Sequence, residues 1–252
     1  MVVRANLLPT TQQKHNAMNI GAWILIGLGT GSAVGLACVK PIRQDLKYHN
    51  FADQRRMLGR LHALNVWSNA PFVGVGIAGL VWLTGHAVPE RWIWMAFFLG
   101  VILTGLGSGY YHLRPCNETL VWDRMGMTTA FAPFFTGIIA ERISQQAGMW
   151  LFVPAMVIGI GSVFFWKRTD DLRPYAWVQF FPMLAIPLLA WLSPSKYLAA
   201  RDIFIVIGWY AVAKVFESAD RPFLRWTGMS GHSWKHIFAA AGCGWVLVGL
   251  AR

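Results

Sequence analysis

Four residues of this chain have a spacing that suits metal chemistry. His232 and His236 lie four residues apart in the stretch GHSWKH, and Ser108 precedes His112 by the same interval. On an α-helix, residues four apart project from one face at about 6 Å. Two histidines on a metal-binding helix use this arrangement. We therefore predict that His112, His232 and His236 form one ligand set.

The chemistry of such a set is that of a catalytic zinc ion. Three neutral imidazoles leave the fourth ligand position to a water molecule, whose pKa zinc lowers to about 7. Asp123 is the carboxylate that would take and return the proton. Ser108 would donate a hydrogen bond to the developing oxyanion. The metal ligands predicted are His112, His232 and His236, and the catalytic residues predicted are Ser108 and Asp123.

Each of these residues also has a simpler interpretation. Lipid head groups solvate histidines at a helix end, Asp123 can cap a helix or pair with Arg124, and Ser108 can bond to its own helix backbone. The remaining histidines are interpreted as loop or interfacial residues: His15, His49, His62 and His86. The shared site is favoured because all the polar residues fall at one end of the predicted helices, together with Asn65, Ser68 and Asn69.

Composition places these residues in a membrane protein. Of the 252 residues, 56% are hydrophobic and only 13% are charged, against about 25% charged in soluble domains. The net charge of +11 comes from basic residues that lie mostly between apolar runs. This pattern favours contacts with anionic lipid head groups over nucleic acid binding. The bilayer and a lipid substrate are the predicted partners, and no protein partner is evident.

The elements that position these residues are predicted transmembrane helices, each of about 20 apolar residues. We predict an all-α membrane protein with a single transmembrane domain over residues 1–252, in which 18–39 is an extra leading helix and 49–252 a seven-helix core. GVGIAG matches a dinucleotide fingerprint but lies within an apolar run, so it predicts close helix packing. The predicted helices are 18–39, 64–84, 92–112, 119–140, 148–166, 174–192, 201–217 and 234–251.

Loop charges predict the orientation. With eight helices, twelve Lys and Arg residues lie on the side that holds the polar cluster and seven lie on the other. The positive-inside rule places the more basic side in the cytoplasm. We therefore expect a multi-pass membrane protein with its site near the cytoplasmic face and both termini outside.

The complete pattern resembles the CREST superfamily of membrane hydrolases, which joins the alkaline ceramidases to the adiponectin and progestin receptors. The motif consists of Ser108-x3-His112, then Asp123, then His232-x3-His236 on the last helix. LNVWSNAPF (64–72) is similar to the ceramidase signature, and AKVFESAD followed by SGHSWKH is similar to bacterial ceramidase-like members. The resemblance covers about residues 49–245.

The resemblance implies an activity and a role for each residue. It implies zinc held by the three histidines, Asp123 as proton shuttle and Ser108 as oxyanion donor. The implied reaction is hydrolysis of the amide of a ceramide-like lipid to a fatty acid and a long-chain base. The alternative is a receptor-like or lipid-binding protein with a structural zinc and little turnover. VWSN and the lack of a sizeable soluble domain favour the hydrolase.

Two further features bear on function. Animal alkaline ceramidases carry an acidic calcium site before the first core helix, where this chain has Asp53 as its only carboxylate and His62 in place of an acid. Because calcium requires several oxygen ligands, the sequence argues against calcium regulation and leaves Asp53 and Asn65 as candidate ligands. Lys214 and Glu217 predict an intramembrane ion pair between helices. They suggest a transporter, but no inverted repeat accompanies them.

Overall fold

The chain is helical throughout the part that the structure describes. This computed structural model describes residues 11–57 and 60–252. In these residues the only sheet is an antiparallel pair of two-residue strands, β1 (Arg56–Met57) and β2 (Arg60–Leu61). The hairpin and a 3-10 turn at Leu46–His49 lie in the loop between the first two helices. The helices are α1 (Thr11–Cys38), α2 (Ala63–Trp67), α3 (Ala70–Gly85), α4 (Arg91–Leu113), α5 (Asn117–Arg142), α6 (Gln145–Thr169), α7 (Arg173–Leu192), α8 (Ala200–Ser218), α9 (Asp220–Thr227) and α10 (Gly231–Leu250).

The predicted helical stretches agree with these helices, with three differences. The helix α1 begins at Thr11, earlier than the predicted start at residue 18. The stretch 64–84 is divided, because α2 ends at Trp67 and α3 begins at Ala70, with a proline in its first turn. Proline at this position has no backbone N–H and suits the start of a new helix. The short helix α9 lies in a segment that sequence reasoning treated as a loop.

Five helical segments are long and apolar enough to cross a membrane: Ile20–Cys38, Ala63–Gly85, Arg91–Leu113, Gln145–Thr169 and Arg173–Leu192. Their number and length fit a membrane protein. Many large apolar side chains on these helices are exposed, including Trp23, Val81, Trp150 and Trp191. Such surfaces suit a lipid environment.

Glycines bring α4 and α5 close together, and this packing positions residues of the site. A Cβ atom on Gly107 would lie 2.3 Å from the carbonyl oxygen of Trp122, so no side chain fits there. A Cβ atom on Gly100 or on Gly126 would likewise lie too close to the backbone of the facing helix. Close backbone approach at small residues is the usual means of helix packing in membranes. At Gly107 it places Ser108 beside Asp123.

Close packing is also observed where GVGIAG predicts it. Gly76 lies against the backbone of Phe98 and the side chain of Ile102 on α4, and Gly79 lies against the ring of Phe98. The prediction of helix packing is therefore confirmed at Gly76 and Gly79.

A buried polar cluster joins the end of α5 to the loop after α7. Sequence reasoning placed Glu141 and Arg142 in a gap between helices, but both are buried residues of α5 and form an ion pair with each other. One carboxylate oxygen of Glu141 accepts the backbone N–H groups of residues 196–198. Arg142 donates to the carbonyl oxygens of Ser193 and Leu198 at 3.1 and 2.6 Å. These hydrogen bonds compensate for the burial of the two charges.

The leading helix α1 packs against α7. The indole N–H of Trp177 donates to the Ser32 hydroxyl at 3.0 Å, and Gly29 lies against the ring of Phe181. None of the residues predicted to act in the site comes from α1.

Candidate metal centre

Three buried histidines from two helices form a group that can hold a metal ion. His112 lies in the last turn of α4, and His232 and His236 lie in the first turns of α10. One ring nitrogen of each lies within 4.8 Å of those of the other two. The side chains are only 1%, 5% and 3% exposed, respectively. The structure thus brings together the three residues whose spacing predicted a ligand set.

The nitrogen positions suit tetrahedral coordination. The Nε2 atoms of His112 and His232 lie 3.2 Å apart. Two nitrogens at zinc-ligand distance from one ion, at a tetrahedral angle, are separated by about 3.3 Å. The pair therefore needs little movement to share an ion.

Ser68 fixes the orientation of the third imidazole. Its Oγ lies 2.8 Å from His236 Nδ1 and 3.2 Å from the carbonyl oxygen of Asn65, to which the hydroxyl donates. In the tautomer in which Nδ1 of His236 donates to Ser68 Oγ, the lone pair of Nε2 is free for a metal ion. Hydrogen bonds of this kind determine the tautomer and the basicity of histidine ligands.

The start of α10 is held in place by residues from elsewhere in the chain. The hydroxyls of Ser230 and Ser233 donate to Oδ1 of Asn65 at 2.9 and 2.6 Å. Asp220 accepts the backbone N–H of His232 at 2.9 Å. A Cβ on Gly231 would lie 2.1 Å from the carbonyl oxygen of Phe216, so α8 approaches α10 closely here. Asn65 and Asp220 are therefore positioning residues for the histidine pair.

The loop between α1 and α2 covers the histidines. The ring of Phe51 is buried with its centroid 4.6 Å from that of His112 and 4.5 Å from that of His232. The next residue, Ala52, donates its backbone N–H to Asp220 at 2.8 Å. Phe51 thus shields the group from water on that side.

Both candidate calcium ligands already have partners. The carboxylate of Asp53 forms hydrogen bonds with the Arg55 guanidinium at 2.8 and 2.7 Å, and these bonds lower the pKa of Asp53. The amide oxygen of Asn65 accepts from Ser230 and Ser233. Calcium would have to displace these partners, and calcium binding at Asp53 and Asn65 stays a prediction.

Two histidines interpreted as loop or interfacial residues contact other parts of the protein. His62 is buried, and its Nδ1 lies 2.7 Å from the carbonyl oxygen of Asp53. His49 lies 2.8 Å from the Tyr111 hydroxyl and 2.9 Å from Oδ1 of Asn117. Both therefore help to fasten the covering loop. His15 lies among the residues whose side chains the structure does not describe, and His86 is exposed as expected.

Ser108 and Asp123 meet at the wall of a cavity next to the histidine group. The cavity has a volume of about 470 Å3, and Ser108, Asp123 and His236 all line it. The Ser108 hydroxyl lies beside the Asp123 carboxyl group. Asp123 is buried inside α5, whose N-cap is Cys116, so Asp123 does not cap the helix. The guanidinium of Arg124 lies instead over the ring of Trp166.

The cavity combines one polar end with a long apolar wall. On α10, His236 and Val246 both line it, and ten residues of helix correspond to about 15 Å. This distance is about half the thickness of the bilayer hydrocarbon core. Apolar side chains from α4, α5, α7, α8 and α10 form most of the remaining wall, among them Phe97, Phe134, Ile186 and Val206. The shape suits an aliphatic chain.

Sequence reasoning missed one charged residue of this cavity. Lys214 and Glu217 form the predicted ion pair at 2.5 Å, but they lie on the same helix, α8. Lys235 on α10 completes the cluster, with its Nζ 2.6 Å from the other oxygen of Glu217. All three line the cavity. The position of Lys235 between the two predicted ligands was a usable signal, because an ionisable residue inside a membrane helix indicates function.

We expect Gly107→Ala to lower both the stability and the metal content of the protein. The added methyl group would meet the Trp122 backbone and force α4 away from α5, at a cost of about 1–3 kcal/mol. Gly109→Ala in the same helix is the matched control, because its methyl group would meet only the Val66 carbonyl oxygen at 4.0 Å. Thermal unfolding and metal analysis of the two variants test this. Equal melting temperatures would contradict it.

These residues define what the site can do. Three imidazoles bind divalent ions such as zinc, copper, iron or nickel. A carboxyl group and a hydroxyl lie beside them, and an apolar cavity leads away. Comparison of the chain with protein-family models and with curated proteins finds no match.

Proposed function

We propose that the protein is a zinc-dependent intramembrane hydrolase that cleaves the amide of a ceramide-like lipid to a fatty acid and a long-chain base. One observation carries the proposal: His236 of a buried three-histidine group lines the polar end of an apolar cavity together with Ser108 and Asp123. The resemblance of this motif to that of the alkaline ceramidases supports the same reaction.

Each residue has a task in this reaction. His112, His232 and His236 would hold the zinc ion, which supplies a Lewis acid and an activated water when bound. Asp123 accepts a proton from the attacking water and returns it to the leaving amine. Ser108 donates a hydrogen bond to the carbonyl oxygen as negative charge develops on it. The apolar wall of the cavity orients the acyl chain and excludes water.

We further propose that α5, α8 and α10 also cross the membrane, which gives a seven-helix core preceded by α1. Among the residues that the structure describes, these three helices contribute the charged residues that line the cavity: Asp123, Arg124, Lys214, Glu217 and Lys235. Their charges therefore face the protein interior, where a membrane helix tolerates them. The excess of basic loop residues on the side of the site favours a position near the cytoplasmic face.

The second candidate is a receptor-like or lipid-binding protein with a structural zinc ion. The packing of Phe51 against His112 and His232 favours it, because it closes one side of the group. The hydrolase is preferred because His236, Ser108 and Asp123 line the open cavity. A purely structural ion does not require a carboxyl group and a hydroxyl at such an opening.

The direct test is turnover of a defined lipid. Purified protein in detergent is incubated with a ceramide that carries a fluorescent acyl chain, and release of the fatty acid is followed by chromatography. We expect hydrolysis that a chelator abolishes and added zinc restores. Stoichiometric zinc together with saturable ceramide binding but no release would favour the lipid-binding alternative.

A further inference from the structure

One buried arginine in the cavity wall forms no ion pair with any residue that the structure describes. Arg124 is 6% exposed, and its guanidinium lies 3.9 Å from the ring centroid of Trp166 and 4.7 Å from that of Tyr175. Nη2 donates to the side-chain oxygen of Gln44 at 2.5 Å. Within residues 11–57 and 60–252, Nη1 has no hydrogen-bond partner. A buried charge without a partner is costly, so an anion from outside the protein would stabilise it.

The surrounding charges favour such an anion. Arg124, Lys214 and Lys235 line the cavity with only two carboxylates, Asp123 and Glu217. Glu217 pairs with both lysines. The polar end therefore has a formal excess of positive charge before any metal binds. The rest of the wall is mostly apolar, so the complementary ligand has an anionic head and an aliphatic chain.

We propose that this end of the cavity binds the carboxylate or phosphate of a single-chain lipid, with the positive charge of Arg124 in the cavity wall as its main attraction. Guanidinium groups bind both of these anions well. The aliphatic chain lies along the apolar wall. The proposal concerns binding at this end of the cavity and is independent of the proposed hydrolase activity, whose substrate stays a ceramide-like amide.

Competition binding tests the site without requiring turnover. Radiolabelled dodecanoate is bound to the detergent-purified full chain in a scintillation proximity assay and displaced by dodecyl phosphate, dodecanol or inorganic phosphate. We expect displacement by dodecyl phosphate, with dodecanol and inorganic phosphate at least tenfold weaker. If dodecanol competes equally, the anion site is refuted; if inorganic phosphate does, the lipid assignment is refuted. Both competition experiments use wild-type protein, so their outcome does not depend on whether a variant folds.

Variants test the contribution of Arg124. Arg124→Gln should weaken dodecanoate binding about tenfold or more, as expected on loss of the positive charge that attracts the anion. Arg225→Gln removes the same charge from an exposed position on α9 and should leave binding unchanged. Wild-type affinity in a folded Arg124→Gln protein would overturn the proposal.

The histidine variant separates this proposal from the hydrolase. His232→Ala/His236→Ala protein should still bind dodecanoate within about threefold of wild type, because Arg124 and not a metal ion holds the anion. Loss of binding in that variant would assign the anion to the metal site and overturn the proposal. Retained binding with no hydrolysis in any variant or in wild type would refute the proposed function alone.

Discussion

Replacing His232 and His236 together by alanine is expected to remove the metal ion from the protein. Wild-type protein purified in detergent should contain about one zinc ion per chain, and the double variant should contain none. The reason is that His112 would be left as the only ligand, whereas a catalytic zinc site uses three protein ligands. Inductively coupled plasma mass spectrometry of matched preparations gives the stoichiometry directly.

Two further variants make this result specific. His86→Ala removes an exposed histidine at the end of α3 and should keep the full metal content. Ser68→Ala retains all three imidazoles but removes the hydroxyl that orients His236. Loss of such a partner typically lowers metal affinity 10–100-fold. We therefore expect the Ser68 variant to release zinc to a chelator that the wild-type protein resists.

Thermal unfolding adds an independent measure. A metal ion that binds only the folded state raises its stability, so added zinc should raise the melting temperature of metal-depleted wild type and not that of the double variant. A wild-type protein without stoichiometric metal, or a double variant with an undiminished content, would remove the histidine group from the mechanism. Both proposed functions that require zinc would then fail.

Residues that act within one helix were predictable from the sequence. The spacing of His232 and His236 determines that both face the same side of α10, since helix geometry is local. The same holds for Ser108 and His112 on α4. The position of each polar residue near one end of its helix followed from hydropathy, and this was enough to predict that they meet. Most helix boundaries were predictable for the same reason, because a span must match the thickness of the membrane.

Contacts between distant segments were not predictable in this way. Asn65 accepts hydrogen bonds from two serine hydroxyls at the start of α10. Nothing in the local sequence LNVWSN specifies those two serines as its partners. Glu141 and Arg142 were interpreted as boundary charges, because burial of an ion pair depends on the loop that folds over it. Lys235 was passed over, since its partner Glu217 is on another helix.

If α5 and α8 cross the membrane as proposed, apolarity alone gives an incomplete count of spans. α5 and α8 carry Asp123, Arg124, Lys214 and Glu217, all of which line the cavity. Each such residue lowers the mean hydropathy of its helix, although it faces the protein interior and not lipid. In a membrane enzyme, the helices that provide the chemistry are therefore the ones that hydropathy detects least well.

Asp123→Asn is expected to abolish turnover while leaving the metal site intact. The amide has nearly the shape of the carboxyl group and keeps its place beside Ser108, but it does not take up a proton from the attacking water. Loss of general acid–base catalysis typically lowers the rate about 10²–10⁴-fold. Asp123 is not one of the three grouped ligands, so zinc content should stay at the wild-type value. The kcat for a ceramide-like amide and the zinc stoichiometry are measured on the same preparation.

The paired measurement distinguishes catalysis from folding. If Asp123 only supported the structure, its replacement would lower metal content and melting temperature together with the rate. Asp45→Asn makes the same chemical change at an exposed position that caps the 3-10 turn, where asparagine also accepts the Lys47 N–H. It should leave turnover unchanged. Wild-type kcat in Asp123→Asn would assign the proton transfer to another group, and Glu217 is then the next carboxylate to replace, because it lines the same cavity.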